Sequence, residues 1–159
     1  MNFTFNFAFF ALILIFPCLP QAGKILSNTP LKLYSINQNY STEYFLNIFI
    51  PSPIPNQAYI EIEFPFPFPL EDSSSCLTTI KSPNGLHTMY ECEKLNFRYM
   101  IYIGHIISGN YEILLENIHN LLVDEISGIW VRTYENRTVL VDEMEKSENI
   151  VLLPSTSKF

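Results

Sequence analysis

The sequence predicts an all-β protein: an antiparallel Ig-like or Greek-key β-sandwich of about seven to eight strands with one disulfide. Three observations point there. Short runs alternate apolar and polar side chains with a period of two, turn residues separate most of those runs, and a secretory leader leaves one pair of cysteines behind.

Residues 1–22 read as a signal peptide. MNFTFNF leads into AFFALILIFPCLP, an apolar core of about a dozen residues, short of the ~20 needed to cross a bilayer as a helix. This segment has no Lys or Arg, and Ala22–Gly23 is the small-residue exit, with Pro20 three positions before the cut. The alternative, an uncleaved N-terminal anchor, is disfavoured by Pro17 and Pro20, which interrupt a spanning helix. Cleavage removes Cys18 and leaves Cys76 and Cys92, so a Cys76–Cys92 disulfide is expected in an oxidising compartment. A zinc site built from both thiolates and His87 matches no ligand spacing. The sequons at Asn39 and Asn136 suit a glycosylated extracellular surface.

Residues 23–30 read as a linker, 31–146 as the sandwich and 147–159 as a tail. LKLYSI (31–36) opens the strand series. EYFLNIFI (43–50) sets Tyr44, Leu46, Ile48 and Ile50 on one face, and AYIEIEF (58–64) does the same with Ala58, Ile60, Ile62 and Phe64. HTMYECE (87–93) and FRYMIYI (97–103) follow, the latter putting Tyr99 and Ile101 opposite Arg98 and Met100. NYEILLENI (110–118), GIWVRTYE (128–135) and TVLVDE (138–143) complete the set. Pro51-Ser52-Pro53, Ser82–Gly85, Ser108–Asn110, Ser127-Gly128 and Asn136-Arg137 supply the turns. ENIHNLLVDEI (116–126) is the weakest region and reads as a short helical turn. After Phe64, the prolines at 65, 67 and 69 confine FPFPFP to an edge or to an extended exit from the sheet. Phe66 and Phe68 then either cap one end of the core or form an exposed adhesive ridge.

The run YFLNIFIPSPIPNQAYIEIEFP, then Cys76 and Cys92, then SGNYEILLENIHN and GIWVRTYENRTVLVDE, resembles a secreted β-sandwich module. That module recurs in large surface and transmembrane proteins of ciliates and other protists. The resemblance spans roughly residues 31–143 and implies a sandwich without assigned catalytic residues. This chain departs from it in holding one copy with no anchor after it, and in reading Ile118-His119-Asn120-Leu121 where the module has Asn-Pro.

Chemistry-bearing motifs are sparse. There is no nucleophile elbow, zinc-protease helix motif, phosphate loop or EF-hand ligand series, so no cofactor or metal is expected. His87, His105 and His119 stand apart in the sequence, and Ser73–Ser75 have no adjacent base. Glu61 and Glu63 share a strand face, read as a solvated outer surface rather than an acid–base pair. Asp142, Glu143 and Glu145, with Asp124 and Glu125, offer oxygen ligands for calcium without a spacing that requires it. Trp130, Arg132 and Tyr134 share one strand face and form the candidate binding surface, unless the register is reversed and Trp130 is core. A net charge of −7 argues against nucleic acid or an anionic membrane as partner. The composite expectation is a non-enzymatic secreted or cell-surface sandwich with a structural, coat or adhesive role. Its partner would be an extracellular protein or glycan, with no membrane span after cleavage. A small lipid- or carbohydrate-binding sandwich is the alternative.

Overall fold

The computed structural model describes residues 22–27, 32–33, 41–65, 76–119, 125–126, 128–144 and 150–151. Its strands are β1 (Gly23–Lys24), β2 (Leu26–Ser27), β3 (Lys32–Leu33), β4 (Ser41–Ile50), β5 (Ile54–Glu63) and β6 (Cys76–Lys81). They continue with β7 (His87–Leu95), β8 (Arg98–Ile106), β9 (Gly109–His119), β10 (Glu125–Ile126), β11 (Trp130–Glu135), β12 (Val139–Met144) and β13 (Ile150–Val151). Among the described residues there is no helix. The all-β class and the Cys76–Cys92 disulfide therefore stand as the sequence predicts.

The sandwich architecture is corrected. One sheet runs β1-β12-β11-β5-β8-β7-β6-β9-β4-β2, with β3 also on β4, while β10 and β13 pair separately. Every pairing is antiparallel except β1 with β12. The two ends of that order are consecutive pieces of one short stretch. Gly23 and Lys24 pair with Asp142 and Glu143, whereas Leu26 and Ser27 pair with Phe49 and Ile48. Between them Ile25 donates its N–H to the Glu143 carbonyl at 2.9 Å and buries its side chain. The sheet thus comes back on itself and is nearly a barrel. Residues 23–27 are part of that closure, not a linker, and Ile150–Val151 of the expected tail form a strand.

The opposite side is closed by β7. Its residues 87–92 pair with β6, and its residues 92–95 pair with β8. Cys92 belongs to both ladders, so the hydrogen bonding continues around the molecule without the gap that would separate two sheets. The disulfide sits at this changeover, linking directly paired residues with Cα atoms 5.1 Å apart.

Inward-facing residues follow the predicted alternation. Tyr44, Leu46, Ile48 and Ile50 of β4 meet Ile60, Ile62, Tyr99, Ile101, Ile113, Leu115, Ile129 and Val131 in one core. Phe64 packs edge-on against Tyr44 at 5.3 Å and Tyr99 at 5.6 Å, joining β4 to the β5–β8 side. Strand β6 is absent from the sequence reading. Its buried positions are Cys76, Thr78 and Ile80, and the polar Thr78 hides the apolar alternation. Of the expected helical turn over 116–126, residues 116–119 are corrected to extended strand in β9 and 125–126 to strand β10, while 120–124 lie outside the described residues.

Candidate functional site

Three adjacent strands, β11, β5 and β8, carry outward residues in lateral rows. Trp130, Glu63 and Arg98 form one row, Arg132, Glu61 and Met100 the next, and Tyr134, Tyr59 and Tyr102 the third. Period two turns Val131, Thr133, Ile60, Ile62, Tyr99 and Ile101 into the core and leaves these nine on the outer wall. Trp130, Arg132 and Tyr134 therefore share a face, with Trp130 partly exposed. The Arg132 guanidinium lies 4.8 Å from the centre of the Trp130 ring.

The middle of this wall is ionic. Glu61 is only 3 % exposed, so the solvated-surface reading of Glu61 and Glu63 is corrected for Glu61. Arg132 Nη1 donates to Glu61 Oε1 at 2.8 Å and to Glu63 Oε2 at 2.5 Å. The Tyr134 hydroxyl donates to Glu61 Oε1 at 3.4 Å. Burial works to lower the Arg132 pKa, and the bonds from Glu63 and Glu61 outweigh it, holding the guanidinium charged. Burial raises the Tyr134 hydroxyl, helped by the Glu61 charge, so it remains a neutral donor. Arg98 is bound differently. It approaches Glu61 and Glu63 at 3.7 and 3.4 Å, with no hydrogen bond to either, and its side chain is 45 % exposed.

Two hairpin turns rim the wall. Asn96, with a positive φ of 57°, tightens the β7–β8 turn, and the following Phe97 carbonyl accepts the Phe64 N–H at 2.9 Å. Asn136 and Arg137 both have positive φ, 53° and 62°, in the three-residue loop 136–138 that joins β11 to β12. That turn aims Arg137 over the Tyr59 ring at 5.0 Å and into an ion pair with Glu93 at 2.7 Å. The result is a cleft of about 450 Å³ lined by Glu61, Leu95, Phe97, Arg98, Tyr134 and Arg137, among others. A second cleft of about 490 Å³ adjoins it and shares Met100 and Arg137.

Of the residues singled out in the sequence, Trp130, Arg132 and Tyr134 come together at this wall. Cys92 lines the second cleft, and its disulfide partner Cys76 is buried. Asn136 is exposed in its turn, while Asn39, Phe66 and Phe68 lie outside the described residues. Asp142 and Glu143 face opposite sides of β12, Asp142 inward, so they do not converge on a cation. Among the described residues no group of His, Cys, Asp and Glu could hold a metal ion, and no helix is long and apolar enough to cross a membrane. Arg98, Met100, Tyr59, Tyr102 and Arg137 were not among the sequence candidates. Alternation places each on the right face, but only register sets them side by side.

No protein-family model matches the chain, and no curated protein matches it in sequence. Among solved structures, the chain is similar to the protein described as "AvmM Catalyzes Macrocyclization in Alchivemycin A Biosynthesis". The match has 9 % identity and a TM-score of 0.47, covering 84 % of this chain and 92 % of that one. This comparison corrects the expected function, both the non-enzymatic structural, coat or adhesive sandwich and its lipid- or carbohydrate-binding alternative. The matching structure is that of a biosynthetic catalyst. A likeness of that size assigns no reaction, substrate or residue to this chain.

Proposed function

We propose that the protein binds a small organic acid, one carrying a carboxylate on an apolar ring-bearing body. The observation that carries this reading is the unequal binding of two arginines. Arg132 satisfies Glu61 and Glu63 by hydrogen bonds, while Arg98 stands at ion-pair distance with its planar fork half exposed to the cleft. A guanidinium fork matches a carboxylate in two parallel hydrogen bonds. Leu95, Phe97 and Met100 supply apolar contact beside it, Tyr134 supplies a hydroxyl, and the cleft has the size of ordinary small-molecule sites. Arg137 adds a second positive group at the rim. A disulfide supports secretion, since such bonds persist in oxidising compartments.

Phenylacetate and its neutral isostere phenylacetamide, titrated into isotopically labelled protein, test the reading. Phenylacetate shifts the amide and side-chain signals of Arg98 and Met100, phenylacetamide at least tenfold less, and Arg98→Ala abolishes the difference without changing the fold. Equal responses to both compounds, or an unchanged response in Arg98→Ala, would overturn it.

A further inference from the structure

We propose that hydrolysis of the Ala22–Gly23 peptide bond delivers a new α-ammonium group to the buried carboxylate of Asp142, and that this ion pair locks the closure of the sheet. Asp142 is 0 % exposed and points inward from β12. Its carboxylate accepts the Ser52 backbone N–H at 3.1 Å and the Ser52 hydroxyl at 2.7 Å. Among the described residues no cation is paired with it, although a buried carboxylate without a counter-charge is costly. What lies against it instead is Gly23. A Cβ placed on Gly23 would overlap Asp142 Oδ1 and touch Ser52 Oγ at 3.1 Å, so any side chain there would displace the carboxylate from its place against Ser52. Standard bond lengths then put the Gly23 nitrogen within roughly 4.5 Å of that oxygen.

In the uncut chain this nitrogen is a neutral amide. Hydrolysis adds water across the bond between the Ala22 carbonyl carbon and that nitrogen. Ala22 departs as a carboxylate, and the nitrogen becomes an amine whose ordinary pKa of about 8 keeps it mostly protonated at neutral pH. The co-reactants are water and a processing peptidase that accepts a small residue before the cut, as Ala22 is. A cut one residue earlier leaves the charge one residue too far out, and a cut one residue later removes Gly23 itself.

The location gives the pair its consequence. Gly23 and Asp142 are direct partners in the parallel ladder of β1 with β12, and three residues on the chain pairs with β4. Ser52 holds the same carboxylate from the connection between β4 and β5. One ion pair at Asp142 therefore ties the closing stretch, the last long strand and the β4–β5 connection at a single point. Processing would convert a sheet closed by backbone pairing and the buried Ile25 side chain into one closed by a buried charge pair as well.

The test uses the full chain with a specific protease site replacing residues 17–22, arranged so that the cut leaves Gly23 first. Thermal midpoints are compared before and after cutting, with and without Asp142→Asn. Cutting is expected to raise the midpoint by about 3–5 °C, and Asp142→Asn is expected to erase that gain. No gain on cutting, or a gain that survives Asp142→Asn, would overturn the proposal. Should Asp142→Asn fail to fold, the rate of α-amine acylation in the cut wild-type chain decides. A rate at least tenfold below that of the unfolded chain supports the pair, and an equal rate overturns it. N-terminal sequencing of protein released by a eukaryotic secretory route should begin at Gly23, and any other start is a contrary result.

Discussion

Arg132 Nη1 reaches across the ladder to Glu61 and Glu63 at 2.8 and 2.5 Å, and this one guanidinium holds both carboxylates of the outer wall. Arg132→Ala would leave the buried Glu61 with only the longer contact to Arg98 and the long bond from the Tyr134 hydroxyl. Loss of one partner from a buried pair is strongly destabilising, and with Arg98 still nearby the cost is about 2 kcal/mol. Adding Glu61→Gln removes the stranded charge and should recover part of that loss. Urea denaturation of the two single variants and the double variant measures it; a double variant less stable than Arg132→Ala would refute this account.

Cys92 pairs with Cys76 in one ladder and with Ile101 in the next, so the disulfide braces the strand that changes partners. Replacing both cysteines with alanine is expected to cost about 3 kcal/mol, following the loop-closure estimate for a loop of this length. The loss should be greatest at the changeover. Amide exchange at 92–95 should accelerate more than at 60–62 in β5, whose neighbours on both sides are long strands. Uniform acceleration would mean that the bond acts on the whole barrel and not on this corner.

Much of the fold was legible because burial imposes period two. The inward residues of β4, β5, β9 and β11 are those that alternation selects. Strand β6 escaped because Thr78, a polar residue, occupies a fully buried position with its hydroxyl 3.2 Å from Cys92 Sγ. The closing stretch escaped because its two strands are two residues each, too short for any period to show. Barrel versus sandwich was invisible for a related reason: it depends on which partner β7 takes on either side of Cys92, a non-local fact. The site was half legible. Trp130, Arg132 and Tyr134 follow from one strand's alternation, but joining them to Glu61, Arg98 and the tyrosines needs the lateral register of three strands.

Burial pushes the Tyr99 hydroxyl far above its ordinary range, and burial together with the neighbouring Tyr99 does the same for Tyr44. The sign follows directly. An unfolded tyrosine loses its proton near pH 10, whereas the folded one keeps it, so above that pH the folded state binds more protons. The stability that these groups contribute is whole below pH 10 and declines as pH rises beyond it, by about 1.4 kcal/mol per pH unit for each group. Alkaline unfolding should therefore be steep, and Tyr44→Phe should make it shallower. Ultraviolet titration of the nine tyrosines should be biphasic, with the late phase coinciding with loss of the β signal. A single phase near pH 10 in a protein that stays folded would contradict the burial of Tyr44 and Tyr99.

Gly85 and Gly109 both have positive φ, 81° and 148°, yet they should respond differently to alanine. Around Gly85, in the β6–β7 turn, a Cβ meets nothing within 4 Å, so Gly85→Ala carries only the backbone penalty of about 1 kcal/mol. A Cβ on Gly109, at the start of β9, comes within 2.6 Å of Pro83 Cγ and 2.7 Å of its Cβ. The proline ring cannot rotate away, so the turn holding Pro83 must shift away from β9, although β6 and β9 are paired just beyond it. Gly109→Ala should therefore cost about 3 kcal/mol, combining backbone strain with overpacking. Pro83→Ala in the Gly109→Ala background should recover part of the loss, because it removes the Cγ that the new methyl group meets. Equal costs for the two glycine variants, or no recovery in the double variant, would show that β9 does not press on this turn as described.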